Sequence, residues 1–319
     1  MGLAYRIRIK AMHFMISAVD TLVLAILMFL IAIDFYAAWD AKQAYEWAEA
    51  AHYEIYKPTE ASQKHSFEDL KAINPEVFGW ISVYGTKIDY PICQASDNLK
   101  YVNTNALGKY SLCGAIFLDA RCSKSFEDYS SILYGHHMEK QAMFAEIGEF
   151  AHKGFFEDRK YGMLYFDGKE HGIEFFAFIQ CDAYDSEVFK TRIADETEKE
   201  AYLDHLLTTA KHARSLAQKI DGNIVLLSTC SAVSTNSRDI LVGRITDTIF
   251  EDAFKADDAV RQMPAVDALA GLLNKIPLWA KIVFVFLLLI ALLLIAKRAQ
   301  RKKRSAGMYE IFNKGEQRA

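Results

Sequence analysis

Two long apolar segments near the ends of the chain constrain its organisation more than any other feature. The first, residues 11–35, has no polar residue from Leu22 to Ile33. The second, residues 276–296, has none after Lys281. Each is long enough for one bilayer crossing, which needs about 20 predominantly apolar residues. The sequence therefore predicts a transmembrane anchor at residues 11–35 and a second transmembrane helix at residues 276–296.

The charges that flank these two segments are distributed unequally. The terminal flanks, residues 1–10 and 297–319, are basic next to the apolar segments, whereas the inner flanks are acidic. The positive-inside rule then predicts a two-pass protein of the cell membrane, with both termini in the cytosol and the residues between the segments outside the cell. A cleaved signal peptide is the alternative for the first segment. Because no small-residue cleavage site follows Ile33, an uncleaved anchor is favoured.

Between the two segments the pattern changes from helical to strand-like. Residues 36–76 are rich in Ala, Glu, Lys and Tyr and predict extracellular N-terminal helices. Residues 77–249 contain many short apolar runs typical of strands, together with a predicted helix at Met143–Phe150 and an inserted helix at Ile193–Gln218. Residues 250–275 are interpreted as a stalk. Many short strands with an inserted helix indicate a closed β-barrel decorated by helices.

A cysteine stands at the end of one of these predicted strands. The apolar run Ile224–Leu227 is followed by Ser228, Thr229 and Cys230, and Arg238 comes just before the next apolar run. A thiol at a strand end is a candidate nucleophile, and a guanidinium nearby can hold a developing oxyanion. The stretch lacks a base, so the base must come from elsewhere in the chain.

The chain has nine histidines from which such a base could come. His136 and His137 differ from the other seven because they follow the apolar run Ile132–Tyr134 and Gly135, which predicts a strand end. One of the others lies in the membrane segment. The remaining six lie in predicted helices, in their flanks or in a turn, where histidines are usually solvated. A nucleophilic cysteine needs an imidazole close in space, not in sequence. From the residues alone, either His136 or His137 could serve Cys230.

The cysteine pattern argues against a metal centre. Five cysteines are present, and neither a CxxC pair nor a His/Cys ligand spacing occurs, so no metal or other cofactor is expected. Disulfides are permitted outside the cell, and an odd number of cysteines leaves at least one thiol free. Cys113 and Cys122 could pair, although their spacing does not establish it.

Several ordered segments together resemble the class B sortases, which are membrane-anchored cysteine transpeptidases. The resemblance covers about residues 70–245, and the combination is far more specific than any one motif. The matching segments are Phe78–Ile81, Ile88–Ile92, Ser96–Tyr101, Gly114–Asp119, Tyr134–Met138, Met143–Phe144, Leu227–Cys230 and Arg238.

The resemblance implies a sortase-type barrel of eight strands and a catalytic role for three residues. It assigns the nucleophile to Cys230, the histidine to His136 and the arginine to Arg238, with Arg244 left as a solvated charge on the last strand. Four further residues match positions that line or shape the peptide groove of the family: Ser228, Thr229, Tyr134 and Asn98.

The resemblance also implies the partners. A sortase cleaves a C-terminal sorting signal of a secreted protein through a thioacyl intermediate and joins the protein to an amine, of a pilin lysine or of a peptidoglycan precursor. The second transmembrane segment favours pilin assembly, but residues 36–76 lack the D-P-aromatic lid motif of the pilin-polymerising class C sortases. Membrane lipid is a further expected partner, and nucleic acid is not. A thiol protease and a non-enzymatic membrane scaffold are the alternatives.

Overall fold

The computed structural model describes residues 3–58, 66–138, 141–215, 222–231 and 236–255. The second predicted transmembrane helix, the basic C-terminal tail and most of the predicted stalk lie outside these residues.

A single long helix, α1 (Leu3–Ala48), opens the described chain. Its stretch Phe14–Ala37 is 24 residues long and apolar enough to cross a membrane. Large apolar side chains in this stretch are exposed, among them Phe14 and Phe29. This N-terminal segment therefore has the character of a membrane anchor. The helix continues past the apolar stretch to Ala48, which is fully buried in the core of the folded body.

Short helices connect the anchor helix to the first strand. Two 3-10 turns follow α1, and α2 (Phe67–Ile73) comes next. The Ser66 side chain accepts a hydrogen bond from the Asp69 N–H at 3.3 Å, while the Asp69 carboxylate accepts one from the Ser66 N–H at 2.7 Å. This reciprocal cap satisfies two N–H groups at the start of the helix. Asn74 is extended before Pro75, and the helix ends there because a proline disfavours helical backbone in the residue before it.

Nine strands occur in the described residues and belong to one sheet. They are β1 (Val77–Val83), β2 (Asp89–Cys93), β3 (Ile116–Leu118), β4 (Ser130–Tyr134), β5 (Tyr161–Phe166), β6 (Lys169–Asp182), β7 (Ala210–Ala213), β8 (Ile224–Cys230) and β9 (Ser237–Thr246).

Eight of these strands close into a barrel. The order is β1-β2-β3-β4-β8-β9-β6-β5, and β5 returns to β1 through pairs such as Trp80 with Tyr165. The β2–β3 and β4–β8 pairs are parallel and the other pairs antiparallel. The short β7 adds to the edge of β6 beyond β5. The predicted eight-stranded barrel with helices is thus confirmed.

The central strands are buried on both faces. In β8, Val225 and Leu227 belong to the main core, whereas Ile224 and Leu226 belong to a second core with Leu206 of the helix α4 (Glu196–Thr209). Each fully buried side chain of this size contributes about 1.5–3 kcal/mol. Burial on both faces explains why the sequence of β8 is an unbroken apolar run and not an alternating one.

The predicted inserted helix at Ile193–Gln218 is too long. The observed helix, α4, ends at Thr209, and Ala210–Ala213 forms β7 against Ala177–Ile179 of β6. The edge of β6 is open beyond β5, and backbone hydrogen bonds to that edge outweigh the local helix propensity of the alanines.

The predicted helix at Met143–Phe150 also differs from the structure. The segment Ala145–Ala151 is a 3-10 helix, and a short helix, α3 (Lys153–Asp158), follows it. Met143 has φ +57°, in the left-handed region. A right-handed helix cannot pass through such a residue, and it therefore begins only after Met143.

Candidate active site

The parallel pairing of β4 with β8 brings the predicted histidine and cysteine to the same end of the barrel. Tyr134 is the register partner of Ser228, and the Gly135 N–H donates to the Ser228 carbonyl at 3.1 Å. His136 lies two residues beyond Tyr134, and Cys230 lies two residues beyond Ser228. Since parallel strands advance together, both residues stand at adjacent strand ends.

Gly135 is required where β4 leaves the barrel. A Cβ atom at this position would lie 2.5 Å from the Ile116 side chain and 2.7 Å from the Phe144 ring. Both neighbours are buried in the main core, so neither can give way cheaply. The glycine lets the backbone pass close to them and leaves His136 to be presented at the strand end.

Cys230 is the exposed thiol of the chain. All five cysteines are unpaired: Cys93, Cys113 and Cys122 are buried, Cys181 is half-buried and Cys230 is exposed. Burial raises the pKa of Cys122 to about 11 and that of Cys181 to about 12. Because the thiolate is the nucleophile, those two are poorly reactive at neutral pH. Exposure thus distinguishes Cys230 from the other four.

The ring of His136 is oriented by a backbone carbonyl. Its Nε2 atom lies 2.8 Å from the carbonyl oxygen of Val102. A carbonyl only accepts hydrogen bonds, and so Nε2 carries the hydrogen in this contact. Nδ1 is then the nitrogen that can gain and lose a proton. The neighbouring His137 is exposed and bridges to Met143.

Arg238 and Arg244 lie on the same strand, β9, but in different settings. Arg238 is the cross-strand partner of Cys230. Arg244 lies six residues further along, about 20 Å away at strand spacing. Its Nε and Nη2 atoms contact the Glu174 carboxylate at 2.7 and 2.6 Å. In the described part of the chain Arg238 has no ion-pair partner and donates to the carbonyl of Ser237 at 3.1 Å.

The four predicted groove residues occupy three different environments. Ser228 and Thr229 are buried, and neither hydroxyl oxygen has a hydrogen-bond partner among the described residues. Consecutive strand residues face opposite sides, and so only Ser228 shares the face of Cys230. The Asn98 side chain accepts a hydrogen bond from the Ala120 N–H at 2.7 Å.

Tyr134, the fourth predicted groove residue, is part of a polar cluster behind the strand end. Its hydroxyl donates to the Asp119 carboxylate at 3.1 Å. Arg121 donates two hydrogen bonds to the same carboxylate, from Nε at 2.9 Å and from Nη2 at 2.8 Å. Burial alone would raise the pKa of Asp119, but the hydrogen bonds and charge of Arg121 outweigh it and hold that pKa below its ordinary value. The part played by Asp119 and Arg121 was not evident from the sequence.

Similarity to known proteins decides the family, although no family model matches the chain. The chain is 45% identical to sortase B from the type II pilus of Streptococcus pneumoniae, whose crystal structure aligns with a TM-score of 0.50 over 57% of this chain and 99% of that one. The chain belongs to the class B sortases. The present chain is also 39% identical to a Streptococcus pyogenes class B sortase involved in pilus biogenesis. The two structures align with a TM-score of 0.52 over 56% of this chain and 97% of that one.

A curated relative extends the comparison. The present chain is 28% identical to Sortase B of Listeria monocytogenes over 167 aligned residues. The aligned region covers 52% of this chain and 68% of the relative. Membership of the class B sortases makes this protein a cysteine transpeptidase.

Proposed function

We propose that this sortase cleaves the sorting signal of a pilin-type secreted protein and transfers the protein to a lysine amine of another subunit. The observation that carries the proposal is the ranking of its relatives. The chain is 45% identical to a sortase B from a type II pilus and 39% identical to a class B sortase involved in pilus biogenesis. Its identity is 34% to sortase B of Clostridium perfringens and 28% to Sortase B of Listeria. Acceptor choice is a property of the surface around the site, and this surface should follow the more similar relatives.

In the proposed first step, Cys230 is the nucleophile. Its sulfur, as thiolate, attacks the carbonyl carbon of the threonine at the cleavage point of the sorting signal. The peptide C–N bond breaks, and His136, as imidazolium, gives its Nδ1 proton to the leaving amine. A thioester between Cys230 and the threonine remains. The exposure of Cys230 and the register of β4 with β8 support these roles.

The second step returns the enzyme to its starting state. The acceptor amine attacks the thioester carbonyl, the C–S bond breaks, and the amine proton passes to neutral His136. The cleaved protein is then bound to the acceptor through a new amide, and the sulfur of Cys230 leaves as thiolate, so that thiolate and imidazolium are both restored. One covalent intermediate shared by two steps predicts ping-pong kinetics.

Arg238 is proposed to bind the oxyanion that forms in both steps. Its position opposite Cys230 supports this role, as does the lack of an ion-pair partner within the described residues. A guanidinium in this setting donates hydrogen bonds to negative charge as it develops on the carbonyl oxygen. The guanidinium of Arg244 forms an ion pair with Glu174, and Arg244 is proposed to be structural.

The proposed groove for the sorting signal runs beside Cys230. Ser228 shares the face of Cys230 and has an unpaired hydroxyl, and so it is proposed to bond the peptide backbone. Tyr134, held by Asp119, is proposed to form a wall of the groove. Asn98 and Thr229 are proposed to shape this region from behind, because Asn98 is bonded to a backbone N–H and Thr229 faces away from Cys230.

The proposed topology has two membrane crossings, at residues 11–35 and 276–296. Residues 36–76, the catalytic residues 77–249 and the stalk at 250–275 then lie outside the cell, and residues 1–10 and 297–319 lie in the cytosol. The span in α1 and the basic terminal flanks support this arrangement. Reporter fusions active only in the cytosol, placed at each terminus, test it. A silent C-terminal fusion on an expressed protein would contradict the second crossing.

The acceptor is tested by competition. The full chain in detergent micelles is given a peptide that carries the sorting signal of a secreted protein encoded beside it, with a pilin lysine peptide, triglycine and diaminopimelate at equal concentration. Mass spectrometry of the products should show mainly the lysine conjugate. Preference for triglycine or diaminopimelate would contradict pilin assembly, and hydrolysis alone would favour the thiol protease. The Cys230→Ala chain provides the blank.

A further inference from the structure

The hydroxyl of Tyr90 joins two segments that the proposed mechanism does not otherwise connect. Tyr90 lies on β2 and is 2% exposed. Its hydroxyl donates to the carbonyl of Ala48 at 2.8 Å and accepts from the N–H of Met143 at 2.9 Å. Both the donor and an acceptor of the hydroxyl are therefore used.

The first of these segments is the end of the anchor helix. Ala48 is the last residue of α1, and the last four carbonyls of a helix have no partner within it. Tyr90 supplies a partner for one of them in a fully buried setting. Tyr53 packs edge-on against the Tyr90 ring, with centroids 6.4 Å apart. The end of the helix that carries the membrane anchor is thus tied to the barrel through Tyr90.

The second segment is the histidine hairpin, defined here as the described residues 136–138 and 141–144. The Phe144 N–H donates to the His136 carbonyl at 3.1 Å, and His137 bridges to Met143. Gln141 and Met143 both have positive φ values, +62° and +57°. Left-handed backbone costs a non-glycine residue about 1–2 kcal/mol, so the surrounding structure must hold the hairpin in this form. The bond from the Met143 N–H to Tyr90 is one such restraint.

We propose that Tyr90 is a positioning residue that makes the placement of His136 depend on the seating of the anchor helix. The hydroxyl holds the Met143 backbone, Met143 holds the hairpin, and the hairpin fixes the strand end from which the imidazole projects. When α1 shifts at Ala48, the Tyr90 hydroxyl loses its acceptor and the hairpin loses a restraint. Tyr90 itself does not contact the substrate. The proposal rests on the assignment of His136 made above.

The chemical state of Tyr90 suits this role. Burial raises the pKa of its hydroxyl well above the ordinary value and outweighs the opposite effect of the hydrogen bond from the Met143 N–H. The group therefore stays neutral over the working range of pH, and a neutral hydroxyl can donate and accept at once. A phenolate could not donate to Ala48.

The decisive test is Tyr90→Phe in the full chain in detergent micelles. Phenylalanine keeps the buried ring and removes only the two hydrogen bonds. We expect kcat for transpeptidation to fall about tenfold, because a misplaced acid–base group costs rate and not substrate affinity. KM for the sorting peptide should stay within twofold of the parent, and the limb of the pH–rate profile that belongs to His136 should shift.

Tyr202→Phe is the matched control. Tyr202 is also a buried tyrosine whose hydroxyl makes two hydrogen bonds, to Val188 and Ser130, but it lies on α4, away from the histidine hairpin. Its loss should lower the melting temperature as much as Tyr90→Phe does while leaving kcat and the pH profile unchanged. If Tyr90→Phe behaves in the same way as this control, the proposal is wrong and Tyr90 is only structural.

A second variant reaches the same link from the anchor side. Ala48→Leu overfills a buried site and displaces the helix end while the Tyr90 hydroxyl remains. It should lower kcat, and in the double mutant with Tyr90→Phe the two losses should not multiply, since one link is broken twice. Fully multiplicative losses, or an unchanged kcat in Ala48→Leu, would overturn the coupling. This variant also decides the question if Tyr90→Phe does not fold.

His136→Ala, assayed in parallel, separates this proposal from the one it rests on. Retained turnover in His136→Ala would overturn the assignment of the base. Loss of turnover there together with a parent-like Tyr90→Phe would overturn the coupling alone.

Discussion

The two ends of the β8–β9 pair contrast sharply although they share the same two strands. At one end Ile224 is fully buried and Arg244 closes on Glu174 through two contacts below 3 Å. At the other end Cys230 is exposed, and Arg238 has no ion-pair partner in the described chain. An arginine stands near each end, so residue type does not distinguish them. What distinguishes them is whether the polar groups have partners, and groups without partners remain available for a substrate.

Removing the proposed nucleophile should have the largest effect at the Cys230 end of the β8–β9 pair, called the open end below. Cys230→Ala is expected to lower the transpeptidation rate on the order of 10⁴-fold or more. Its melting temperature should stay at the parent value, because the side chain is exposed. Cys122→Ala is the buried control, with full activity but about 1–2 kcal/mol less stability. A mass-spectrometric assay and thermal melts measure both quantities. Residual turnover near the parent rate in Cys230→Ala would remove this cysteine from the mechanism.

The paired arginines compare the two ends directly. Arg238→Lys keeps the charge but loses the planar fork, and we expect kcat to fall about 10²–10³-fold, as for loss of an oxyanion donor. Arg244→Lys should leave kcat within twofold. It should lower the free energy of unfolding by about 1 kcal/mol or less, since the pair with Glu174 is partly solvated. The reverse pattern in steady-state kinetics would exchange the two assignments.

The contribution of the Tyr134–Asp119–Arg121 cluster to the free energy of unfolding should depend on pH. The pKa of Asp119 is below its ordinary value in the folded state, so its contribution is fully present above the unfolded value of about 4 and is lost as the pH falls through the folded value. Asp119→Asn should cost about 1–3 kcal/mol at pH 7. Urea unfolding at pH 7 and at pH 3 measures this cost. A difference between variant and parent that does not shrink at pH 3 would show that the charge is not what stabilises the cluster.

The smallest effect is expected from a single hydroxyl. Because the Ser228 hydroxyl has no hydrogen-bond partner in the described part of the chain, Ser228→Ala should leave stability unchanged within about 0.5 kcal/mol. It should raise KM for the sorting peptide roughly threefold to tenfold. Ser131→Ala is its control. That hydroxyl is equally buried and unpaired, but it lies near the start of β4, far from Cys230. An equal KM for both variants would exclude Ser228 from the groove.

The parts of the fold that the sequence reveals are those determined by local burial. The first four residues of β8, Ile224–Leu227, form an unbroken apolar run because both faces are covered, and the strand continues through the buried Ser228 and Thr229 to the exposed Cys230. Gly135 likewise marks the point where β4 leaves the core. Local patterns therefore predict both strand ends. They do not predict that β4 and β8 are neighbours, because parallel pairing of distant segments leaves no local periodicity, and only the family resemblance supplied that link.

The wrong predictions arise where contacts from distant segments override local preference. Ala210–Ala213 would extend α4 on propensity alone, but the open edge of β6 pairs with it. The left-handed backbone at Met143 delays the helix after the histidine hairpin, and no residue type there signals it. Tyr90 could not be identified as a link, because both of its partners are backbone atoms from segments far away in sequence.

The parallel pairing of β4 with β8 also has a kinetic consequence. His136 and Cys230 are separated by almost a third of the chain, so their strands can meet only after a long loop has closed. Closing such a loop costs entropy before any contact repays it, and pairings of this kind form late and slowly. Until then the proposed base and the proposed nucleophile are on separate parts of the chain. A newly made chain is therefore expected to remain inert until the barrel is complete.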